Sequence, residues 1–283
     1  MSDTRRRLDS LRRQGRGPVA LVPTMGFFHE GHLSIMRAAR AEADLVVVSM
    51  FVNPIQFGPA EDYDVYPRDF DRDMEKAAAA GVDLIFAPDA TEMYPSGHET
   101  LVQPGGTAAG LCGQSRPDHF TGVATVVAKL FNIVQPDYAY FGQKDAQQVA
   151  VIRRMAQDLV FGVEIRVCPV VRESDGLAMS SRNTFLSGEE REQATALYRA
   201  LEYAREGVAT GETSVARLRR RMRKDIAANY LVELEYVRIV NPRTMEPVAE
   251  VSTPALAAVA AKVGNVRLID NMLLSPEDHK CEE

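Results

Sequence analysis

Two histidines three residues apart, His29 and His32, close the stretch Val19 to His32, VALVPTMGFFHEGH. At that spacing the imidazoles share one face if a helix begins near Gly31. The first turn of a helix has unsatisfied backbone N–H groups and the positive end of the dipole, which suits an anion. Two imidazoles at that point add donors that can stabilise charge on a phosphoryl group in transfer. A metal site fits less well. H-x-x-H lacks the H-E-x-x-H spacing of zinc hydrolases, and the remaining His and Cys form no cluster with it.

Three further polar clusters carry chemistry. Asn53 to Gln56 follows the apolar run Leu45 to Val52, and Gly142 to Gln148 follows Tyr138 to Phe141. Lys144 beside Gly142 supplies a cation with close backbone approach, as a phosphate requires. Met179 to Arg182 joins the hydroxyls of Ser180 and Ser181 to the guanidinium fork of Arg182 on a polar loop suited to closing over phosphates. Gln56 and Gln148 are amides that suit a hydroxylated substrate. No Ser-His-Asp order, pair of acids on one face or Walker loop competes.

The elements that position these residues follow from periodicity. Thr4 to Gln14 predicts a short charged helix. Val19 to Val22 is a buried strand ending at Pro23, Gly31 to Ala43 a helix, and Leu45 to Val52 a strand of the kind buried in parallel sheets. Asp62 to Arg68 is loop-like, Asp69 to Ala80 a helix stopped by Gly81, and Val82 to Ala87 a strand. Met93 to Arg116 reads as irregular, with a short strand near Thr100 to Gln103. His119 to Val134 is an amphipathic helix, Tyr138 to Phe141 a strand, Ala146 to Leu159 a helix capped by Asp145, and Val163 to Val171 a strand. The alternation predicts an α/β fold, a Rossmann-like doubly wound parallel sheet. Strand C-termini gather at one edge of such a sheet, so the first three clusters are expected to face one crevice.

From Arg172 the pattern changes. Glu173 to Asn183 is a polar loop, and Ser187 with Glu190 makes a capping box for a helix to about Gly207. A second helix covers Ser214 to Asn229. Val232 to Val240 and Val266 to Asp270 are strands, with a turn at Asn241-Pro242. This predicts a smaller C-terminal α+β domain, residues 171–283, after a nucleotide-binding catalytic domain, residues 1–170.

Composition narrows the function classes. The chain has 283 residues, 46% apolar and 25% charged, which is ordinary for a globular protein. A formal charge of −6 argues against nonspecific nucleic-acid binding, and the basic spots at Arg5 to Arg7 and Arg219 to Arg223 read as solvated helix faces. No run approaches the roughly 18 apolar residues of a membrane span, and no apolar segment follows the basic Arg5 to Arg13, so neither membrane insertion nor secretion is expected. Cys112, Cys168 and Cys281 are sparse and widely spaced, which fits a reducing compartment and a cytoplasmic location.

The sequence resembles the pantothenate synthetase (pantoate–β-alanine ligase) family of the nucleotidyltransferase superfamily, whose signature is a HIGH-like motif. PTMGFFHEGH matches the first family motif, FVNPIQF the substrate motif, FGQKDAQQ the central motif, and DGLAMSSRN the counterpart of the KMSKS loop. RPDHFTGV and VYPRDF also match in place, and the resemblance runs from about Val19 to Leu186. There are departures. Phe27-Phe28 replaces a small residue and Leu, Gln143 stands where Glu is commoner, and Asp118 where Gly is commoner.

The resemblance implies ATP-dependent condensation of pantoate and β-alanine to pantothenate through a pantoyl-adenylate, releasing pyrophosphate and AMP. It implies that Met25, Gly26, His29, His32, Gly142, Gln143, Lys144, Asp145, Val171, Met179, Ser180, Ser181 and Arg182 hold ATP. His32, as proton donor, would act in catalysis with His29, Lys144 and Arg182. Gln56 and Gln148 would hold pantoate, and Gln56 also lies near β-alanine, with Asn53 and Arg116 at the second substrate. Mg²⁺ on the phosphates and a homodimer are also implied. Another nucleotidylyltransferase, acting on a small phosphorylated acceptor, is the alternative; it would need extra basic residues where Asn53 and Gln56 are neutral. A non-catalytic nucleotide-binding module is a third reading, and the intact set of polar motifs speaks against it.

Overall fold

The apolar runs become the strands of a parallel sheet. The computed structural model describes residues 1–59 and 61–276, so Cys281 lies outside the described residues. Two compact units divide the chain. The first comprises Met1–Gly105, Gly113–Gln143 and Val151–Pro169, and the second Gly106–Cys112, Lys144–Ala150 and the chain from Val170 onward. Lys144 and Gln148 therefore belong to the second unit.

The first unit contains α1 (Ser2–Arg13), β1 (Val19–Thr24), α2 (Glu30–Glu42), β2 (Leu45–Met50), α3 (Phe70–Ala79), β3 (Leu84–Phe86) and α4 (Ala90–Met93). After α5 (Cys112–Ser115), where the chain returns from the second unit, come α6 (His119–Val134) and β4 (Tyr138–Gly142). Next, α7 (Ala146–Asp158) begins in the second unit and ends in the first, and β5 (Glu164–Cys168) follows. The five strands are all parallel, in the order β3-β2-β1-β4-β5. Alternation along β1 and β2 sends Ala20, Val22, Val46 and Val48 into a core with Met36 and Ala39 of α2. Val19, Leu21 and Val47 are equally buried on the opposite face, and burial of each such side chain contributes about 1.5–3 kcal/mol.

Several sequence expectations shift here. Instead of ending at Pro23, β1 runs to Thr24, because its pairing with β4 is confined to Ala20 and Leu21 and the missing proline N–H lies beyond that ladder. No strand forms near Thr100–Gln103; the Val102 N–H instead donates to Thr125 Oγ1 at 2.9 Å. The last strand of the sheet stops at Cys168 rather than Val171. Gly81, at φ +81°, closes α3 with bonds from Gly81 N to Ala78 O and Val82 N to Ala77 O.

The second unit packs α8 (Gly188–Ala194), α9 (Ala196–Ala209) and α10 (Val215–Ala227) with an antiparallel sheet of β6 (Val232–Val240), β7 (Ala255–Val263) and β8 (Val266–Leu274). The predicted capping box of Ser187 and Glu190 is present. The single helix expected to Gly207 is broken at Thr195, whose hydroxyl donates back to Glu192 O at 2.6 Å. The central strand β7, ALAAVAAKV, had no counterpart among the predicted strands. Ala255, Ala257, Val259, Ala261 and Val263 join one core with Ala200, Leu201 and Ala204 of α9, while Leu256, Ala258 and Ala260 are buried on the other face. Alanine favours helix, but a strand covered on both faces by close-packed elements needs small side chains, and that packing prevails.

Candidate functional site

The turn after β1 is held from three sides. Thr24 Oγ1 donates to Ser49 O on the adjacent strand at 2.6 Å and accepts from Gly26 N at 3.3 Å. Gly26 and Phe27 then take consecutive left-handed conformations, φ +85° and +54°. The carboxylate of Asp73 on α3 accepts from Phe27 N at 2.5 Å and Phe28 N at 2.7 Å, and Lys76 Nζ donates to Phe28 O at 2.6 Å. Phe27 sits where the family resemblance places a small residue; a left-handed backbone is the reason a small residue suits it.

His29 is the N-cap of α2. Its Nδ1 accepts from Gly31 N at 3.2 Å, and His32 Nδ1 accepts from His29 N at 3.4 Å, a reciprocal capping box made by two imidazoles. A ring that accepts at Nδ1 carries its proton at Nε2. Both imidazoles are thus fixed as Nε2–H donors, with centroids 4.1 Å apart. Five backbone N–H groups of this turn, at Gly26, Phe27, Phe28, His29 and Gly31, are engaged by protein side chains. The donors that the turn presents to an anion are its imidazoles more than its backbone.

Beyond β2, a 3-10 turn at Pro54–Gln56 carries the next cluster. Asn53 is 1% exposed: its amide donates to Gln56 Oε1 at 3.0 Å and Gly122 O at 3.1 Å, and its oxygen accepts from Tyr94 Oη at 2.8 Å. Burial pushes the Tyr94 hydroxyl above its ordinary range, which keeps it a donor. Gln56 Nε2 in turn faces Met25 Sδ at 3.3 Å. Asn53 therefore orients Gln56, and Gln56 meets the turn of the first motif.

Arg116 is brought to the same region. It forks onto Glu61 at 2.6 and 2.5 Å, and its Nη1 lies 3.1 Å from His119 Nε2. His119 Nδ1 is 2.9 Å from Gln56 O. A carbonyl only accepts, so Nδ1 donates there and Nε2 accepts from Arg116. Burial alone would raise the Glu61 carboxyl, but the hydrogen bonds and charge of Arg116 hold it below its ordinary value. Gly122 makes room for this cluster. A Cβ there would stand 2.5 Å from Ile55 O and 2.7 Å from Gln56 N. Asp118, in a place where the family prefers Gly, is left-handed at φ +62°.

The remaining site residues are described within the second unit, apart from Gly142 and Gln143 at the end of β4 in the first. Lys144 and Asp145 lie in a 3-10 turn leading into α7, with Lys144 Nζ 3.7 Å from Asp145 Oδ1 and Lys144 O accepting from Asn271 Nδ2 at 2.8 Å. Gln148 is half-buried on the first turns of α7. Its neighbour Gln147 is buried and binds Thr107 O, Gly110 O and Cys112 N.

The segment 171–183 is a pinned hairpin. Met179 N donates to Val171 O at 2.9 Å, and Arg172 bridges to Ala178. Arg172 forks onto buried Asp270 at 2.6 and 3.1 Å, and Arg191 pairs with Glu173 and Asp175. Burial raises the Asp270 carboxyl against the lowering pull of Arg172. Ser180 then caps a 3-10 turn, Ser181–Phe185, by accepting from Arg182 N, so Ser180, Ser181 and Arg182 share one tight bend.

Sequence reasoning missed Asp73, Lys76, Glu61, Tyr94 and the role of His119. Asp73 had a signal: with Ala77 and Ala80 it falls on the buried face of α3, an acid where the periodicity asks for an apolar residue. Among the described residues, no group of three or more His, Cys, Asp or Glu could hold a metal ion. No helix there is long and apolar enough to cross a membrane.

A family model described as pantoate-beta-alanine ligase matches residues 1–273. The pantothenate synthetase of Heliobacterium modesticaldum is 56% identical over 262 residues, 93% of each chain. That of Caldicellulosiruptor saccharolyticus is 53% identical over 264 residues, 93% of this chain and 94% of its own. The crystal structure of pantothenate synthetase from Thermus thermophilus matches with a TM-score of 0.89 at 49% identity, covering 94% of this chain and 96% of that one. A Francisella tularensis pantoate-beta-alanine ligase, described as complexed with beta-gamma ATP and beta-alanine, matches at TM-score 0.77 and 33% identity over 95% of both chains.

Proposed function

The chain belongs to the pantoate–β-alanine ligase family, and on that premise we infer that it joins pantoate to β-alanine at the expense of ATP. In the first step a pantoate carboxylate oxygen attacks the α-phosphorus of ATP. The bond from that phosphorus to the bridging oxygen breaks, and pyrophosphate leaves. In the second, the β-alanine amine attacks the acyl carbon of the pantoyl-adenylate. The C–N bond forms, the acyl C–O bond to AMP breaks, and the amine loses a proton. Adenylation supplies the leaving group, so the protein's work is alignment and charge stabilisation.

The observation that carries this reading is the reciprocal His29–His32 cap, which fixes both rings as Nε2–H donors. We assign these donors to the phosphates of ATP, with His32 donating an Nε2–H hydrogen bond to the departing oxygen and so stabilising the charge that develops on it. Met25, Gly26, Gly142, Gln143, Asp145, Val171 and Met179 are assigned to the nucleotide. Lys144, Ser180, Ser181 and Arg182 are assigned to its phosphate charge, a role supported by their cation and hydroxyl chemistry. Gln56 and Gln148 are assigned to pantoate and Gln56 also to β-alanine. Asn53 acts through the Gln56 amide it holds, and Arg116, whose fork is taken by Glu61, is assigned to the second substrate through its positive charge.

Mg²⁺ fits as a companion of the substrate, since it binds phosphate oxygens and water with few protein ligands; bound there, it would neutralise phosphate charge. The family resemblance supports a cytoplasmic homodimer. Exchange of label between pyrophosphate and ATP that depends on pantoate tests the first half-reaction, and its absence in the wild-type protein would sink the assignment.

A further inference from the structure

We propose that Asp73, with Lys76 one turn along α3, is a positioning residue that sets the His29–His32 pair for adenylate formation. The inference rests on the ligase reading above. Asp73 is 1% exposed, and a carboxylate is buried to that degree only when partners compensate it. Its partners are two consecutive backbone donors, Phe27 N and Phe28 N, at 2.5 and 2.7 Å. Consecutive N–H groups converge on one anion only when the backbone is curled, and φ of +85° at Gly26 and +54° at Phe27 provides that curl. Phe27 is an aromatic residue in a region that L side chains resist, so an outside contact must hold it there.

Lys76 Nζ grips the carbonyl of Phe28 at 2.6 Å. The peptide units leading into His29 are thus held at N–H and C=O by two side chains of one helix. The Phe28 ring, fully buried, lies 5.6 Å from the His32 ring. His29 follows at once, and its extended backbone, φ −125° and ψ 176°, lets its ring cap α2. If the curl relaxes, His29 leaves the cap, His32 loses the His29 N–H, and the two Nε2–H donors no longer point from fixed rings. The internal carboxylate occupies the anion-binding curl of the backbone, and the imidazoles are left to meet the ligand.

The test is Asp73→Asn. An amide accepts through one oxygen and sets its own N–H against the second backbone donor. In the pantoate-dependent pyrophosphate–ATP exchange assay, kcat is expected to fall roughly 10- to 100-fold, with the KM for pantoate within about twofold of wild type. Adding Phe27→Gly should recover about tenfold, because glycine takes the left-handed conformation without a clamp. A merely structural aspartate would not be rescued by a backbone change at residue 27. Folded Asp73→Asn with wild-type kcat, or a loss that Phe27→Gly leaves untouched, overturns the proposal. If Asp73→Asn does not fold, Lys76→Met replaces it: about a tenfold loss of kcat at unchanged pantoate KM supports the clamp, and an unchanged kcat overturns it. Wild-type protein without exchange refutes the ligase reading instead, so the two failures are distinguishable.

Discussion

Replacing Gly122 by alanine adds one methyl group to α6 and is expected to damage a site residue that the methyl is not part of. The new Cβ would lie 2.5 Å from Ile55 O, 2.6 Å from Gln56 Cα and 2.7 Å from Gln56 N. All three are backbone atoms, so no side-chain rotation relieves the clash. Ordinary contact begins near 3.4 Å, so the Pro54–Gln56 turn and α6 must separate by roughly 0.8 Å. Overpacking on that scale costs about 1–3 kcal/mol of stability. The shift also pulls Gly122 O from Asn53 and disturbs the bond from Asn53 to Gln56. A misplacement near 1 Å can cost about 10²-fold in rate. Steady-state pantothenate formation with pantoate varied should therefore show kcat/KM for pantoate down roughly 10- to 100-fold, with a lowered Tm. A Gly122→Ala protein with wild-type kcat/KM and Tm would refute both the packing argument and the role given to Gln56.

Three other outcomes follow. Lys144→Ala and His32→Ala should each cut adenylate formation by at least about 10²-fold while the far-ultraviolet circular dichroism is unchanged, as expected for removal of a charge-stabilising donor; exchange kinetics near wild type would contradict the assignment. Glu61 is held below its ordinary pKa by Arg116, so the unfolded chain takes up its proton first as pH falls. The stability from this pair is complete above the ordinary carboxylate range and lost as pH drops through the lowered value; Glu61→Gln should flatten the acid limb of a stability–pH curve measured by urea unfolding. Val160 ends α7 at φ +54° in a turn where Phe161 N reaches Ala156 O, a position that favours glycine. Val160→Gly should therefore raise stability by about 1 kcal/mol, and a lowered Tm would contradict that.

The parallel sheet was legible because β1 and β2 are unbroken apolar runs followed by turn residues, and no other pattern fits them. The capping box at Ser187 was legible, and its side chain accepts from Glu190 N. The strand β7 was not, since its alanines answer to burial on two faces and local propensity argues the other way. The four motifs carrying the candidate site were readable as residue types, but their wiring was not. Asp73 serves Phe27 and Phe28 from more than forty positions away, and Tyr94 reaches Asn53 across a comparable span. Such links depend on which elements pack together, and spacing along the chain does not report that. Even His29 and His32, singled out at once, had their Nε2–H tautomers fixed only by the reciprocal cap.

The central claim is that this chain activates pantoate by adenylation. Purified protein given ATP, Mg²⁺ and labelled pyrophosphate should exchange label into ATP when pantoate is added and not before, and should release pantothenate once β-alanine follows. Exchange that ignores pantoate, or none with every substrate present, would contradict it.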